Sequence, residues 1–233
     1  MNTIITGASK GIGRALVEKF ASEGHNLAIC ARNEENLKSL KKELETKYSG
    51  IQVLIKSTDI SKRKDVLAFA EAALKMFGSI DVLINNGGIF LSGSTCEENE
   101  GTLEKLIETN LYSAYHLTRA IVPFMTSSAK PHIFNMCSIA SQTAYPNGGS
   151  YSISKFALLG FTKVLRQELL DKGIRVTAVL PGATWSDSWA GVDLPQERLM
   201  DAADIADTIW AAYSLKKGAV VEEVIIRPQL GDL

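Results

Sequence analysis

Cysteine is scarce in this chain and follows no pattern. The three copies, Cys30, Cys96 and Cys137, are odd in number and widely spaced, with no C-x-x-C pair. Such spacing leaves no zinc site or disulfide framework to read and points to a reducing compartment, the cytoplasm. Cys30 and Cys137 fall in strand-like runs, where a free thiol behaves as a small hydrophobe. An excess of either charge is also lacking: 25 basic against 26 acidic side chains leave a net −1. That balance argues against nucleic acid or an anionic membrane surface as a partner. No apolar run approaches the length of a membrane span. Met1 leads straight into a strand-like segment, so no signal peptide is expected. Linkers, repeats and low-complexity tracts are missing too. With 233 residues and a mean hydropathy near zero, a single soluble α/β domain over residues 1–233 is expected.

What the chain does have is alternation. Strand patterns fall at Asn2–Thr6, Leu27–Ala31, Ile51–Ile55, Ile80–Ile84, His132–Cys137, Arg175–Leu180 and Glu223–Ile226. Helical spacing fills the gaps: a segment opening near Ile12, Asn33–Tyr48, a helix capped by Ser61, one long helix from about Glu100 to Met125, another from about Ser150 to Asp171, and Ala203–Leu215. This order predicts a Rossmann-like, doubly wound parallel sheet of about seven strands with helices on both faces. Asn110 stands in the middle of a helix, a poor choice for propensity, and an asparagine buried there needs partners.

Three stretches carry chemistry. The first is Thr6-Gly7-Ala8-Ser9-Lys10-Gly11-Ile12-Gly13 between strand and helix. That arrangement presents backbone N–H groups and a helix N-terminus to a pyrophosphate; the alternative is a tight turn that binds nothing. The second is Arg32 at the end of the second strand, where an arginine accommodates a ribose 2′-phosphate and an acid would select the free hydroxyl. With Lys10 in the glycine loop as a second cation, the pair favours NADP(H), although Arg32 can also be read as a solvated residue ahead of a helix. The third runs from Ser138, delivered by a hydrophobic strand, through a Gly-rich loop to Tyr151 and Lys155, four apart on one helix face. A tyrosine can hand a proton to a carbonyl oxygen, a cation one turn away favours its phenolate, and Ser138 can hold the same oxygen. A second Tyr-x-x-x-Lys, Tyr213 and Lys217, lacks that serine and is expected to be a solvated helix face. Trp185 and Trp189, in the loose stretch before Met200, are either an apolar substrate wall or anchors for that stretch.

Taken together, TGASKGIG (Thr6–Gly13), NNGG (Asn85–Gly88), Asn110, Ser138, YSISK (Tyr151–Lys155) and Pro181-Gly182 resemble the short-chain dehydrogenase/reductase family over nearly the whole chain. The resemblance implies an NADPH-dependent reductase of a ketone, similar to β-ketoacyl-carrier-protein reductases and sepiapterin-type reductases. Variants are a polyol or secondary-alcohol dehydrogenase working oxidatively, or a non-catalytic NADPH-binding regulator. It implies Tyr151 as acid/base, Lys155 as its electrostatic partner and a ligand of the nicotinamide ribose, Ser138 as the carbonyl-orienting group, and Asn110 as holder of a relay water. Gly7, Gly11 and Gly13 with Ser9, Lys10, Ile12 and Arg32 would line the pyrophosphate and adenosine phosphate. Asp59 and Ile60 would flank adenine, Asn86 and Gly87 a ribose, and Pro181, Gly182 and Thr184 the carboxamide. No metal is implied, and a homodimer or homotetramer is. Gly87 stands where the family usually has alanine, and Ser186 where many members have threonine. Lys130 and Arg119 are candidates for a basic patch facing an acidic carrier protein, or plain solvated surface.

Overall fold

Seven strands form one sheet in the order β3-β2-β1-β4-β5-β6-β7, every neighbouring pair parallel. The computed structural model describes residues 1–185, 195 and 198–231. The strands are β1 (Asn2–Thr6), β2 (Asn26–Ala31), β3 (Val53–Ser57), β4 (Val82–Asn85), β5 (His132–Met136), β6 (Arg175–Pro181) and β7 (Glu223–Ile226). The order reverses between β1 and β4, which opens a crevice at their carboxyl ends. Helices cover both faces, so β1, β2, β4 and β5 read as nearly continuous buried runs rather than alternating ones.

On one face lie α1 (Gly11–Ser22), α2 (Glu34–Lys47) and α7 (Ala202–Ser214), packing Leu16, Phe20, Leu37, Leu44, Ile209 and Tyr213 into one apolar cluster. On the other, α3 (Arg63–Phe77), α5 (Ser113–Ile121) and α6 (Gly149–Leu169) contribute Val66, Phe69, Leu117, Ile121, Leu165 and Leu169. Local signals set the ends. Asn33 caps α2 by accepting the Asn36 N–H at 2.8 Å, an arrangement worth about 1 kcal/mol. Among the described residues no helix is long and apolar enough to cross a membrane.

Several expectations need correction, and β4 starts at Val82 rather than Ile80. Strand β3 begins at Val53 rather than Ile51, because Gln52 N–H is taken by the Asn26 side chain at 2.9 Å. Ser61 does not cap α3: its hydroxyl donates to Asp59 Oδ1 at 2.7 Å, and the helix starts at Arg63. The long helix is broken into α4 (Thr102–Ile107), a π-helical turn Glu108–Tyr112, α5, and a 3₁₀ turn Val122–Phe124 containing Pro123. Tyr213 is not a solvated residue. It is 1 % exposed, its hydroxyl reaches Met1 Sδ at 3.1 Å, and Lys217 lies past the end of α7 at Ser214, so the pair shares no helix face.

His25 is buried beside that tyrosine, with Nδ1 2.7 Å from Thr3 Oγ1 and ring contacts to Phe20, Trp210 and Tyr213. Burial, aided by the N-terminal amine, pulls its pKa from 6.5 to about 4. Burial lowers His132 as well. A folded value below the unfolded one means that the unfolded chain binds more protons between about pH 6.5 and 4. Stability present above that window is therefore lost as pH falls through it. Calorimetric Tm should drop across this range, and His25→Gln, which keeps an acceptor for Thr3, should make the drop shallower. An unchanged slope would refute the assignment.

Candidate active site

The crevice between β1 and β4 is held by short polar contacts. Thr6 Oγ1 accepts the N–H groups of Asn86 and Gly87 at 3.1 and 2.8 Å, and Asn86 Nδ2 donates to Thr6 O at 2.9 Å. Gly7, at φ +66°, turns the chain into α1. The N-terminus of α1 has no side-chain cap at Lys10 and no acid in its first turn, so its N–H groups face the crevice without an anion of the protein's own. Ser9 and Ile12 are half-buried there, and Lys10 is exposed. Arg32 is exposed at the end of β2, its carbonyl accepting from Ser57 Oγ at 3.0 Å. Asp59 accepts the Ser61 hydroxyl and N–H, and these bonds hold its carboxyl below the usual range. Ile60 Cδ1 lies 2.6 Å from where a Cβ on Gly87 would stand. Gly87 therefore leaves no open space there; the isoleucine fills it.

At the carboxyl end of β5 the four candidate catalytic residues come together. Ser138 caps the turn Ile139–Ser141: its Oγ accepts Ala140 N–H at 3.1 Å, and Ser141 Oγ accepts Ser138 N–H at 3.1 Å. The Ser138 proton thus stays available, and its hydroxyl acts to lower the pKa of the Tyr151 phenol. Lys155, 6 % exposed, donates to Met136 O at 2.8 Å, and its Nζ is 5.8 Å from the Tyr151 ring centroid. Asn110 sits in the π-helical turn, accepting Ile89 N–H at 2.8 Å and donating to Ile89 O and Ser154 Oγ, each at 3.0 Å. Those three bonds are the partners that a mid-helix asparagine required. Asn110 Oδ1 and Lys155 Nζ approach the same side of Gly88, 3.0 and 3.6 Å from where its Cβ would be.

The electrostatics depart from expectation. Burial raises the Tyr151 pKa, with the Ser138 hydrogen bond opposing it, and burial takes Lys155 from 10.5 down to about 8. Lys155 does not bring the phenol nearer neutrality in this state, because both groups have lost water and the ammonium is turned onto a carbonyl.

On the far side, Gly182 N–H donates to Ile226 O at 2.8 Å, and buried Thr184 donates to Gly182 O at 3.0 Å. Pro181 ends β6. Trp185 is exposed, tied through its backbone to Met200 O at 2.9 Å; Ser186 and Trp189 lie outside the described residues. Lys130 lies over the Tyr213 ring and Arg119 bonds Tyr115, so neither belongs to this site. Among the described residues no cluster of metal ligands occurs. Sequence reasoning gave Thr6 no role of its own and missed the Met136 carbonyl and Phe90, whose exposed ring meets Tyr151 edge-on at 4.8 Å. Phe90 follows two residues after the Asn-Asn-Gly-Gly run, and that proximity was its signal.

A family model described as short chain dehydrogenase matches residues 1–196. The chain belongs to the short chain dehydrogenase family. A diacetyl reductase [(S)-acetoin forming] of Staphylococcus epidermidis is 34% identical over 212 residues, covering 91% of this chain and 82% of that protein. A sepiapterin reductase of Chlorobaculum tepidum is 32% identical over 238 residues, covering 99% and 97%. Among solved structures, an alcohol dehydrogenase from the archaeon Thermococcus sibiricus complexed with 5-hydroxy-NADP superposes with a TM-score of 0.90 at 28% identity, covering 98% of this chain and 96% of that one. The glycine turn and open α1 N-terminus of this short chain dehydrogenase fit a dinucleotide pyrophosphate, and Arg32 and Lys10 supply cations at the edge of the same crevice.

Two glycines separate close packing from mere smallness. A Cβ on Gly13 would run into Gly7 O and lie 2.6 Å from Asn86 Nδ2, whereas one on Gly87 would chiefly meet the movable end of Ile60. Gly13→Ala should destabilise by about 1–3 kcal/mol, as overpacking against backbone does. Gly87→Ala should stay within about 1 kcal/mol of the parent, since the lost chain entropy offsets the rearranged methyl. Urea unfolding of both variants decides it, and equal effects would contradict this difference in packing.

Proposed function

We propose that this short chain dehydrogenase is an NADPH-dependent carbonyl reductase that converts a ketone to a secondary alcohol. The observation that carries it is the convergence of Ser138, Tyr151, Lys155 and Asn110 at the carboxyl end of β5, beside the open N-terminus of α1. The diacetyl and sepiapterin reductases of Staphylococcus epidermidis and Chlorobaculum tepidum support a ketone, and the NADP-type ligand of the archaeal alcohol dehydrogenase supports the cofactor.

NADPH, when bound, supplies the hydride. Gly7, Ser9, Lys10, Gly11, Ile12 and Gly13 would hold its pyrophosphate side, and Arg32 its 2′-phosphate. Asp59, Ile60, Asn86 and Gly87 would bound the adenosine half, and Pro181, Gly182, Thr184 and Lys155 the nicotinamide half. Ser138 donates a hydrogen bond to the substrate carbonyl oxygen, and Tyr151 gives it a proton. Lys155 stabilises the phenolate that results, and Asn110 orders the Gly88–Ile89 backbone and a water from which Tyr151 recovers its proton through Lys155. Burial keeps the free enzyme's Tyr151 protonated at neutral pH, the form that reduction needs and oxidation does not. Phe90 beside Tyr151 favours a substrate with an apolar or flat substituent.

A homodimer at least is proposed as well. Leu158 is buried and Leu111 and Phe161 pack against the core, while Ile153, Phe156 and Val164 on α6, and Tyr112 of the π-helical turn, are exposed.

Tyr151→Phe should leave NADPH affinity intact and lower kcat by about 10²–10⁴-fold, the usual worth of a general acid. Retained turnover on a simple diketone would sink the assignment. Arg32→Asp should erode the preference for NADPH over NADH by about 1–3 kcal/mol in kcat/KM, the range for a hydrogen bond to a charged group. A parent enzyme that uses NADH as well as NADPH would remove the basis for it.

A further inference from the structure

Helix α6 has an N-terminus that its own sequence leaves unfinished. Gly148 at the cap position offers no side chain, and the first turn contains no acid. The acceptor comes instead from Glu98, 52 residues earlier in the chain. Ser150 Oγ donates to Glu98 Oε1, and Ser150 N–H points to Oε2 at 3.4 Å. A carboxylate suits a helix N-terminus electrostatically as well as by hydrogen bonding. The same segment is tied down a second time, because Gly93 N–H donates to Asn147 O at 3.0 Å. Close passage of the two chains needs Gly149, at φ +33°, where a Cβ would run into Gly93 O. Phe90, at the start of this segment, is the residue that meets the Tyr151 ring.

We infer that Glu98 is a positioning residue for Tyr151, acting through Ser150; this rests on the proposed role of Tyr151 as proton donor. Tyr151 is the third residue of α6 and lies in the first turn, where a helix frays when its N–H groups lose their acceptor. Lys155 lies a full turn deeper and is held separately by Met136 O. Removing Glu98 therefore loosens the phenol while leaving the ammonium and the glycine crevice in place. Proton delivery should suffer and dinucleotide binding should not.

The test compares Glu98→Ala, Ser150→Ala, their double variant and Tyr151→Phe on one small diketone with NADPH. Glu98→Ala should lower kcat by about 10- to 100-fold, the scale of a misplaced catalytic group. Its NADPH Kd should stay within about twofold, and its solvent deuterium isotope effect on kcat should rise as the proton step becomes limiting. The double variant should be no slower than Glu98→Ala, since both changes cut one connection. Parent-like kcat in the two single variants, or an NADPH Kd that rises in step with the loss of kcat, overturns the inference. Should Glu98→Ala fail to fold, Ser150→Ala, which removes only a hydroxyl, decides by the same split between kcat and Kd. Tyr151→Phe separates the two levels: if it is inactive while the other variants are normal, only the role of Glu98 falls. If it retains turnover, the proposed function falls too.

Discussion

The hydrogen bond from the Lys155 ammonium to the Met136 carbonyl, 2.8 Å long and shut away from water, is the contact on which the site depends. A buried lysine pushed from 10.5 to about 8 has given up on the order of 3 kcal/mol of preference for its charged form. It stays in place because one of its three donors has a carbonyl fixed at the end of a central strand. That bond fastens α6 to β5 at the level where Ser138 leaves the strand. Serine, tyrosine and lysine thereby become neighbours although they arrive on two elements. Around it, polar side chains continue the fastening: Asn135 reaches Thr162 on α6 at 2.9 Å and accepts from Asn85 on β4 at 2.8 Å. Buried networks of this kind rigidify one arrangement of strands and helices, here with Asn85 Oδ1 left without a partner.

The opposite wall depends on backbone proximity rather than charge. Thr6 uses one hydroxyl oxygen to accept two N–H groups of the β4 loop, and that loop can approach only because Gly7 and Gly13 present no side chain to it. The distance between β1 and β4 at the crevice is therefore set by contact. The proposed binding and catalytic residues meet near the strand-order reversal between β1 and β4, where open α/β sheets leave a crevice.

Much of this was legible in the residues. Asn2–Thr6 and Glu223–Ile226 were read at their observed ends, and the glycine turn, Ser138, Tyr151 and Lys155 were placed on the correct elements. Apolar periodicity and glycine punctuation determine these locally. The π-helical turn was not legible, since over five residues its repeat hardly differs from that of an α-helix. Its cause is distant: Asn110 must meet both main-chain groups of Ile89. The Met136 carbonyl and the Glu98 carboxylate were invisible for related reasons. One is backbone, and the other acts across 52 positions. Tyr213 was misread although its signal was present. Ile205, Ile209 and Tyr213 recur at four-residue spacing, which is a buried stripe, and the Tyr-x-x-x-Lys pattern drew attention to the wrong property.

The reversed direction of the Tyr151 shift clarifies how the pair can work. A cation that made the phenol ionise in the resting enzyme would leave no proton to deliver. Instead burial keeps the phenol neutral and the lysine, at about 8, largely charged at neutral pH, so the pair begins with one positive charge and an intact acid. When the proton leaves Tyr151, a negative charge forms beside an ammonium whose nitrogen lies 5.8 Å from the ring centre. At an effective dielectric of about 20 that attraction is about 3 kcal/mol, and it exists only after the proton has begun to move. In the proposed reaction, lysine would thus stabilise the phenolate form without populating it beforehand, the differential binding that lowers a barrier instead of a ground state. The geometry needed is modest in distance but strict in orientation. That is why a helix N-terminus held from outside, and a lysine held by a strand, matter more than any shift present in the resting protein.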